Sequence, residues 1–398
     1  MKDRIINLIR KIHHSMPPGI RKSYRFVRVM AEKISQYILP VYHCSATDSE
    51  TGEVLSMVQV GWDKKLMHYW LDRFSDQHGE LIRRRWITVQ GIPGYLASKK
   101  IDSELVIIDS SASTLAKRLP GGFQLPRWME LIMDIESVTR KKKFHNIRRN
   151  IRKQSLDYVI RNSSEDFDLF YHHMYTPLVR NRHGAQADVS DYKHFASKFK
   201  NENANLFFII LNDEPVAAAY VEDNRDFIRL SAVGVLEGNR EIYRLGVIGA
   251  LYYFVILYYR EKGRKSLFLG KSMAVVLDGV AEFKREFGAT PYLEDLGNQS
   301  KYYLMPMKET DVLTRMMKRN PVFNLQDQQL NIAGLVDVND FGDKMAFLKH
   351  FKRFYAAQVE RTTLYCKGDT SQIRMWMQEE GLDHIVVKES TEFFLVHS

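Results

Sequence analysis

The sequence predicts a mixed α/β (α+β) fold. Three observations carry this. Between Leu206 and Val235, three apolar runs are separated by short polar turns, the pattern of an antiparallel meander. Long stretches with helical spacing flank it on both sides. From Ser266 to Pro306 the pattern alternates strand, helix, strand. A chain of 398 residues, 45% hydrophobic and 27% charged, is ordinary for a globular protein with a sizeable core.

The elements follow in chain order. Residues 2–12 place Ile5, Ile6, Leu8, Ile9 and Ile12 on one face, with Lys2, Arg4, Arg10 and Lys11 around it. Pro17-Pro18-Gly19 ends this short helix, and a second basic helix is expected from Arg21 to about Ile38, stopped by Pro40. Residues 41–136 read as an α/β unit. It has a strand at Glu53–Val60, a helix from Asp63 to Arg85, and strands at Trp86–Val89 and Leu105–Ile108. From 137 to 306 the order is more regular. A basic helix precedes a strand at Tyr158–Ile160, and a helix runs from Ser164 to about Asn181 with Ser163 or Ser164 as its cap. A helix at Ser190–Lys200 leads into strands at 206–211, 216–222 and 227–235. A buried helix follows at Ile242–Lys262, then a strand at 266–270 and a helix at Asp278–Phe287. Residues 307–398 read as a small α/β unit. Its strands are expected near Leu330–Val336, Thr363–Tyr365, His384–Val387 and Phe393–Val396, and its helices near Gly342–Ala357 and Ser371–Gln378.

The net charge of +10 is concentrated. Residues 1–40 hold nine Lys/Arg against two acids, and residues 137–161 hold nine against one. The rest of the chain is mildly acidic, so two blocks point to anionic partners. The first block, amphipathic as well as basic, suits an anionic membrane surface, and equally an arm packed on the protein body. Cys44 and Cys366 are too far apart and too few for a zinc site or a disulfide framework, which fits a reducing compartment. The longest apolar run, Gly246–Tyr259, is too short to span a bilayer. A cytoplasmic protein, peripheral at the inner face of the membrane if the first block engages lipid, is the expected location.

Five stretches carry a family resemblance. KFHNIRRNIRKQ is a basic helix before a short strand, and FYHHMYTPLVRNRHG ends a helix with Arg182 and Gly184. FIILNDEPVAAAYVED is a polar-tipped hairpin, YREKGRKSLFLGKS runs from helix end to strand, and VAEFKREFGA sets Phe-Lys three residues ahead of Phe-Gly. In this order the segment 137–306 resembles the GNAT acyltransferase fold. Its wording is similar to the Fem-type aminoacyltransferases and the cellulose-biosynthesis-type acetyltransferases. The resemblance implies an acyl- or aminoacyl-transferase acting on an amine or hydroxyl of a cell-envelope, polysaccharide or related precursor. It implies no permanent cofactor and no metal, with acetyl-CoA, another acyl-CoA or aminoacyl-tRNA as donor. It also implies that residues 41–136 are a reduced first GNAT-like half; residues 307–398 lie outside it.

In GNAT proteins the CoA pyrophosphate sits on backbone N–H groups at a helix start. The matching place is Tyr243-Arg244-Leu245-Gly246-Val247-Ile248-Gly249, which makes Arg244, Gly246 and Gly249 the donor-binding candidates. Tyr243 and Ile248 depart from the family pattern, and that departure leans toward aminoacyl-tRNA. By the same resemblance Lys284 matches the Lys of the family's Phe-Lys pattern, a group to neutralise a phosphate or oxyanion, or a surface lysine. Glu237 and Asp278 are candidate bases, and Asp278 is equally a helix cap. Arg182 is placed to hold an acceptor carboxylate or phosphate, or to meet the carbonyls of its own helix end.

The basic block itself has two faces. Phe144, Ile147 and Ile151 form an apolar stripe, while His145, Arg148, Arg149 and Arg152 form a basic one. With no acid to balance it, the basic stripe is expected to bind an anionic substrate, donor or tRNA. The alternative to an enzyme is a non-catalytic GNAT-fold protein holding RNA or anionic lipid through its basic blocks.

Overall fold

The computed structural model describes residues 38–394, apart from 49, 75–78, 99–101, 110–121, 184–188, 202, 295–299, 328, 355–358 and 383–384. The basic helices expected over residues 1–37 lie outside the described residues. The chain has the mixed α/β class expected of it and divides into two units. One comprises 1–127, 299–354 and 360–398; the other comprises 128–298 and 355–359. The segment 41–127 and nearly all of 307–398, apart from 355–359, thus belong to the same unit.

In the first unit a six-stranded sheet runs in the order Glu80–Thr88, Ile38–Thr47, Val54–Val60, Leu105–Ile108, Lys301–Pro306, Phe123–Pro126. A four-stranded sheet joins Val322–Gln326, Gln329–Asp337, Arg361–Lys367 and Ile385–Glu389. The helix expected over 63–85 covers only Lys64–Phe74. Glu80–Thr88 is instead an edge strand paired with Ile38–Thr47. Gly79 permits the approach, since a Cβ there would stand 2.7 Å from the Ser45 carbonyl oxygen. Of the strand expected at Phe393–Val396, Phe393 and Phe394 are described and lie in a turn after the 3-10 segment Ser390–Glu392; the remainder falls outside the described residues. The Phe393 ring packs on Tyr365, with centroids 5.1 Å apart.

The second unit carries the candidate site. Its elements are β1 (Met129–Asp134), α1 (Ile135–Thr139), α2 (Lys142–Gln154), β2 (Asp157–Arg161) and α3 (Ser164–Asp168). A π-helical turn (Leu169–Tyr175) continues into α4 (Thr176–His183), followed by α5 (Tyr192–Asn201). Then come β3 (Ala204–Leu211), β4 (Glu214–Asp223), β5 (Ile228–Val235), α6 (Arg240–Arg244) and α7 (Val247–Glu261). The unit closes with β6 (Ser266–Ser272), α8 (Gly279–Glu286) and β7 (Thr290–Pro291). The sheet order is β7-β1-β6-β5-β4-β3-β2, and every pairing is antiparallel except β5 with β6. An antiparallel meander, a crossover helix and one parallel pair make the arrangement GNAT-like.

Period-two alternation sorts the sheet's side chains. Phe207, Ile209, Ala217, Ala219 and Val221 meet α2 and α7 on one face. Leu206, Phe208, Ala218 and Tyr220 meet Phe167, Phe170 and Phe195 on the other. α2 is anchored by its apolar stripe. Phe144 stacks on Tyr253 with centroids 4.5 Å apart, Ile151 is buried, and Ile147 packs beside them.

Two expected helices are interrupted, each for a local reason. The helix over 242–262 breaks at Gly246, whose φ is +81°. A Cβ there would lie 2.7 Å from Asn150 Nδ2, the group that donates to the Leu245 carbonyl at 2.7 Å. The helix over 164–181 widens into its π turn where β5 crosses it. A Cβ on Gly234 would come within 2.6 Å of the Met174 backbone. Glycine therefore lets strand and helix backbones touch there.

Candidate active site

The site begins where β5 and β6 part. They pair at one place only, Arg229 opposite Phe268. A buried clasp holds that point. Arg229 donates from Nε and Nη2 to the two carboxylate oxygens of Glu130, at 2.6 and 3.1 Å. Its Nη1 lies 3.5 Å from Glu222, which also accepts from the Ser231 hydroxyl at 2.8 Å. Both carboxylates are buried, so their charges are compensated by this geometry rather than by water.

Past the clasp β6 bends away at Gly270, whose φ is +71°. Lys284 fixes the bend from α8. Its ammonium donates to the Gly270 and Lys271 carbonyls at 3.1 and 3.2 Å, and to the Ser272 hydroxyl at 3.1 Å. Burial pushes its pKa down to about 8, against the partial pull of Asp278 and Glu130.

Beside Val233 of β5 lies a cavity of about 840 Å³, walled by residues of α4, α6, α7 and α8. That is within the usual range for small-molecule sites. Leu178, Val233, Ile248, Tyr252 and Phe283 give it an apolar lining. Exposed Arg182, Arg240, Tyr243 and Arg244 stand at its rim. Arg182 lies over the Tyr243 ring at 5.1 Å. Burial pushes the Tyr252 phenol up, and the charge of Arg182 offsets part of that. The guanidinium field therefore reaches inward. Arg244 pairs with Glu241 at 2.6 Å, whereas Arg182 and Arg240 meet no carboxylate among the described residues. Asp278 and Gly279 also line the cavity, where Asp278 caps α8 by accepting from Val280 N and Ala281 N at 3.1 and 3.2 Å.

Glu237 sits just past β5 in a left-handed conformation, φ +49°, next to cavity-lining Gly238 at φ +59°. One helical face grips this turn. His173 Nδ1 is 2.8 Å from Glu237 Oε1, and Asn181 Nδ2 donates to the Gly238 carbonyl at 3.3 Å. The Pro177 backbone leaves no room for a side chain on Gly238. The spacing His173, Pro177, Asn181, one helical face, is the signal in the sequence for this grip.

The donor-binding candidates meet the inner face of α2, not its basic stripe, at the start of α7. Asn150 and Ile147 of α2 pack against Gly246 and Gly249, and Arg244 stands beside them at the rim. Lys143 reaches the other way, pairing with Glu286 of α8. His145, Arg148, Arg149 and Arg152 are exposed on the outer face of α2, outside the cavity lining.

Among the described residues no helix is long and apolar enough to cross a membrane. No family model matches the chain, and no curated protein matches it. Among solved structures it is similar to FemX, at 12% identity over 66% of this chain and 84% of that one, with a TM-score of 0.34. It is similar to a GCN5-related N-acetyltransferase from Sphaerobacter thermophilus, at 12% identity over 66% and 79%, TM-score 0.30. It is also similar to a tandem GNAT protein from the clavulanic acid biosynthesis pathway, at 11% identity over 66% and 82%, TM-score 0.29. At such TM-scores the likeness carries no activity from those proteins to this one.

Proposed function

We propose that the 128–298 unit is an acyl- or aminoacyl-transferase, and that transfer to an amine or hydroxyl takes place in the cavity beside the end of β5. The observation that supports this is the parting itself. A strand released from its neighbour on one side offers fixed backbone N–H groups inside an apolar cleft, which is what a tetrahedral oxyanion needs. The acceptor attacks the acyl carbonyl, the oxyanion rests on the unpaired side of β5, and the leaving group departs with a proton. Glu237, oriented by His173, takes the proton of the attacking nucleophile directly or through water. Lys284 ties α8 to β6 and Asp278 caps α8, a wall of the cavity. Arg182 holds an acid group of the acceptor. Arg244, Gly246 and Gly249 lie toward the donor, which is acetyl-CoA, another acyl-CoA or aminoacyl-tRNA. The acceptor is a precursor of the cell envelope, a polysaccharide or a related polymer, with residues 1–40 at an anionic membrane surface.

The test offers the purified chain acetyl-CoA and aminoacyl-tRNA separately, each with a panel of amines and hydroxyl acceptors. Mass spectrometry reads product and the melting temperature reads donor binding. A donor that raises Tm and yields acylated product supports the reading. No transfer with any pair, and no shift with either donor, refutes it. The exposure of His145, Arg148, Arg149 and Arg152 outside the cavity favours a second reading, a non-catalytic binder of RNA or anionic lipid. Such binding falls steeply with salt, and a flat salt response excludes it.

A further inference from the structure

The rim and lining of the cavity differ sharply in character, and that difference specifies a ligand. Leu178, Val233, Ile248, Tyr252, Val280 and Phe283 give the cavity six largely apolar lining side chains, two of them aromatic. Three guanidinium groups stand on one side of the rim. Among the described residues only Arg244 has an acid, the exposed Glu241. Arg182 lies over the Tyr243 ring at 5.1 Å, a cation–π contact that favours this position of its guanidinium. Cations left unpaired beside an apolar cleft repel one another until an anion arrives. A neutral substrate would leave that repulsion in place, and a fully polar anion would leave the lining unfilled.

We infer that the cavity takes an anionic amphiphile: an apolar chain or ring system in the cleft, joined to a phosphate or carboxylate that Arg182 and Arg240 hold at the rim, with Arg244 adjoining. This rests on the reading of the cavity as the transfer site, since it names the chemistry of what is bound there. It assigns Arg240 a recognition role, and it separates the anion on the rim from the exposed stripe of α2.

The probes are decyl phosphate, decanoate, decanol and inorganic phosphate, each below its micellar concentration. They are titrated into the full chain by calorimetry. Decyl phosphate or decanoate is expected to bind at least about tenfold more tightly than decanol or inorganic phosphate, because two parts of the site are then satisfied together. The stronger of the two names the headgroup. Arg182→Ala/Arg240→Ala is expected to remove that preference, and Arg182→Lys/Arg240→Lys to restore part of it. Both arginines are exposed, so near-ultraviolet circular dichroism should be unchanged. Arg225→Ala, exposed in the turn after β4 and outside both the cavity lining and the basic stripe, is the control that keeps wild-type affinity. Decanol binding as well as the anions overturns the inference, as does an alanine pair that binds like wild type or an equal loss in Arg225→Ala. Tight anion binding without acyl transfer to any acceptor would sink the transferase reading and leave this inference standing. Transfer to neutral acceptors without anion preference would do the reverse.

Discussion

Lys284 makes the folded protein's stability rise with pH in a window where most proteins weaken. Its ammonium is buried and hydrogen-bonded to two carbonyls and a hydroxyl, yet burial takes its pKa from 10.5 to about 8. Between those values the unfolded chain binds a proton that the folded chain has given up. The cost of burying the charge is therefore fully present below pH 8 and disappears as pH climbs toward 10.5. At 1.36 kcal/mol per unit the shift amounts to about 3 kcal/mol, of which about 2 is regained between pH 7 and 9.5. Lys284→Met removes the titration. It also strands the Gly270 and Lys271 carbonyls, so its absolute stability is expected to be lower. The diagnostic quantity is the difference in unfolding free energy between wild type and variant, from urea titrations at pH 7, 8, 9 and 9.5. It should widen by about 2 kcal/mol in favour of wild type. Two curves that stay parallel would refute the reasoning, for then Lys284 keeps its proton and its ordinary pKa.

Arg229→Met should cost about 3 kcal/mol or more by leaving Glu130 buried without its partner, and adding Glu130→Gln should return part of that, read by denaturation. Gly234→Ala forces a methyl against the Met174 backbone and should lower stability by about 1–3 kcal/mol, read as a fall in Tm. Arg148→Ala/Arg152→Ala changes two exposed side chains off the apolar stripe. Stability should stay within about 0.5 kcal/mol while substrate or polyanion binding weakens; a loss of folding would give the stripe a structural role. Once an acceptor is known, Glu237→Gln should slow transfer by about 100-fold with little change in Tm, and an unaltered rate would remove Glu237 as the base.

What the sequence revealed depended on how local the cause was. The meander was readable because Phe207, Ile209, Ala217 and Ala219 alternate with side chains bound for the opposite face, and period two needs no distant partner. α2 was readable for the same reason, with Phe144, Ile147 and Ile151 at helical spacing. The break at Gly246 was hidden inside a continuous apolar run. What fixes it is Asn150, 95 residues away. The strand at Trp86–Thr88 is legible in the sequence, but its first part, Glu80–Arg85, reads as helix because Arg83-Arg84-Arg85 erases any period, and only pairing with Ile38–Thr47 decides it. The candidate site is the least local feature of all. Its lining comes from segments around 178–182, 233–252 and 278–283, and its best acid–base pair, His173 with Glu237, spans 64 residues.

The strand Lys301–Pro306 sits inside the first unit's sheet, between Leu105–Ile108 and Phe123–Pro126. On the ribosome that strand appears only after the whole of residues 128–298 has been made. The unit holding the cavity can thus be finished while the earlier one still lacks an inner strand. For that interval Leu105–Ile108, fully buried in the end, is an open apolar edge. Slowing synthesis between residues 128 and 300 should therefore lower soluble yield through the first unit, although every added residue belongs to the second.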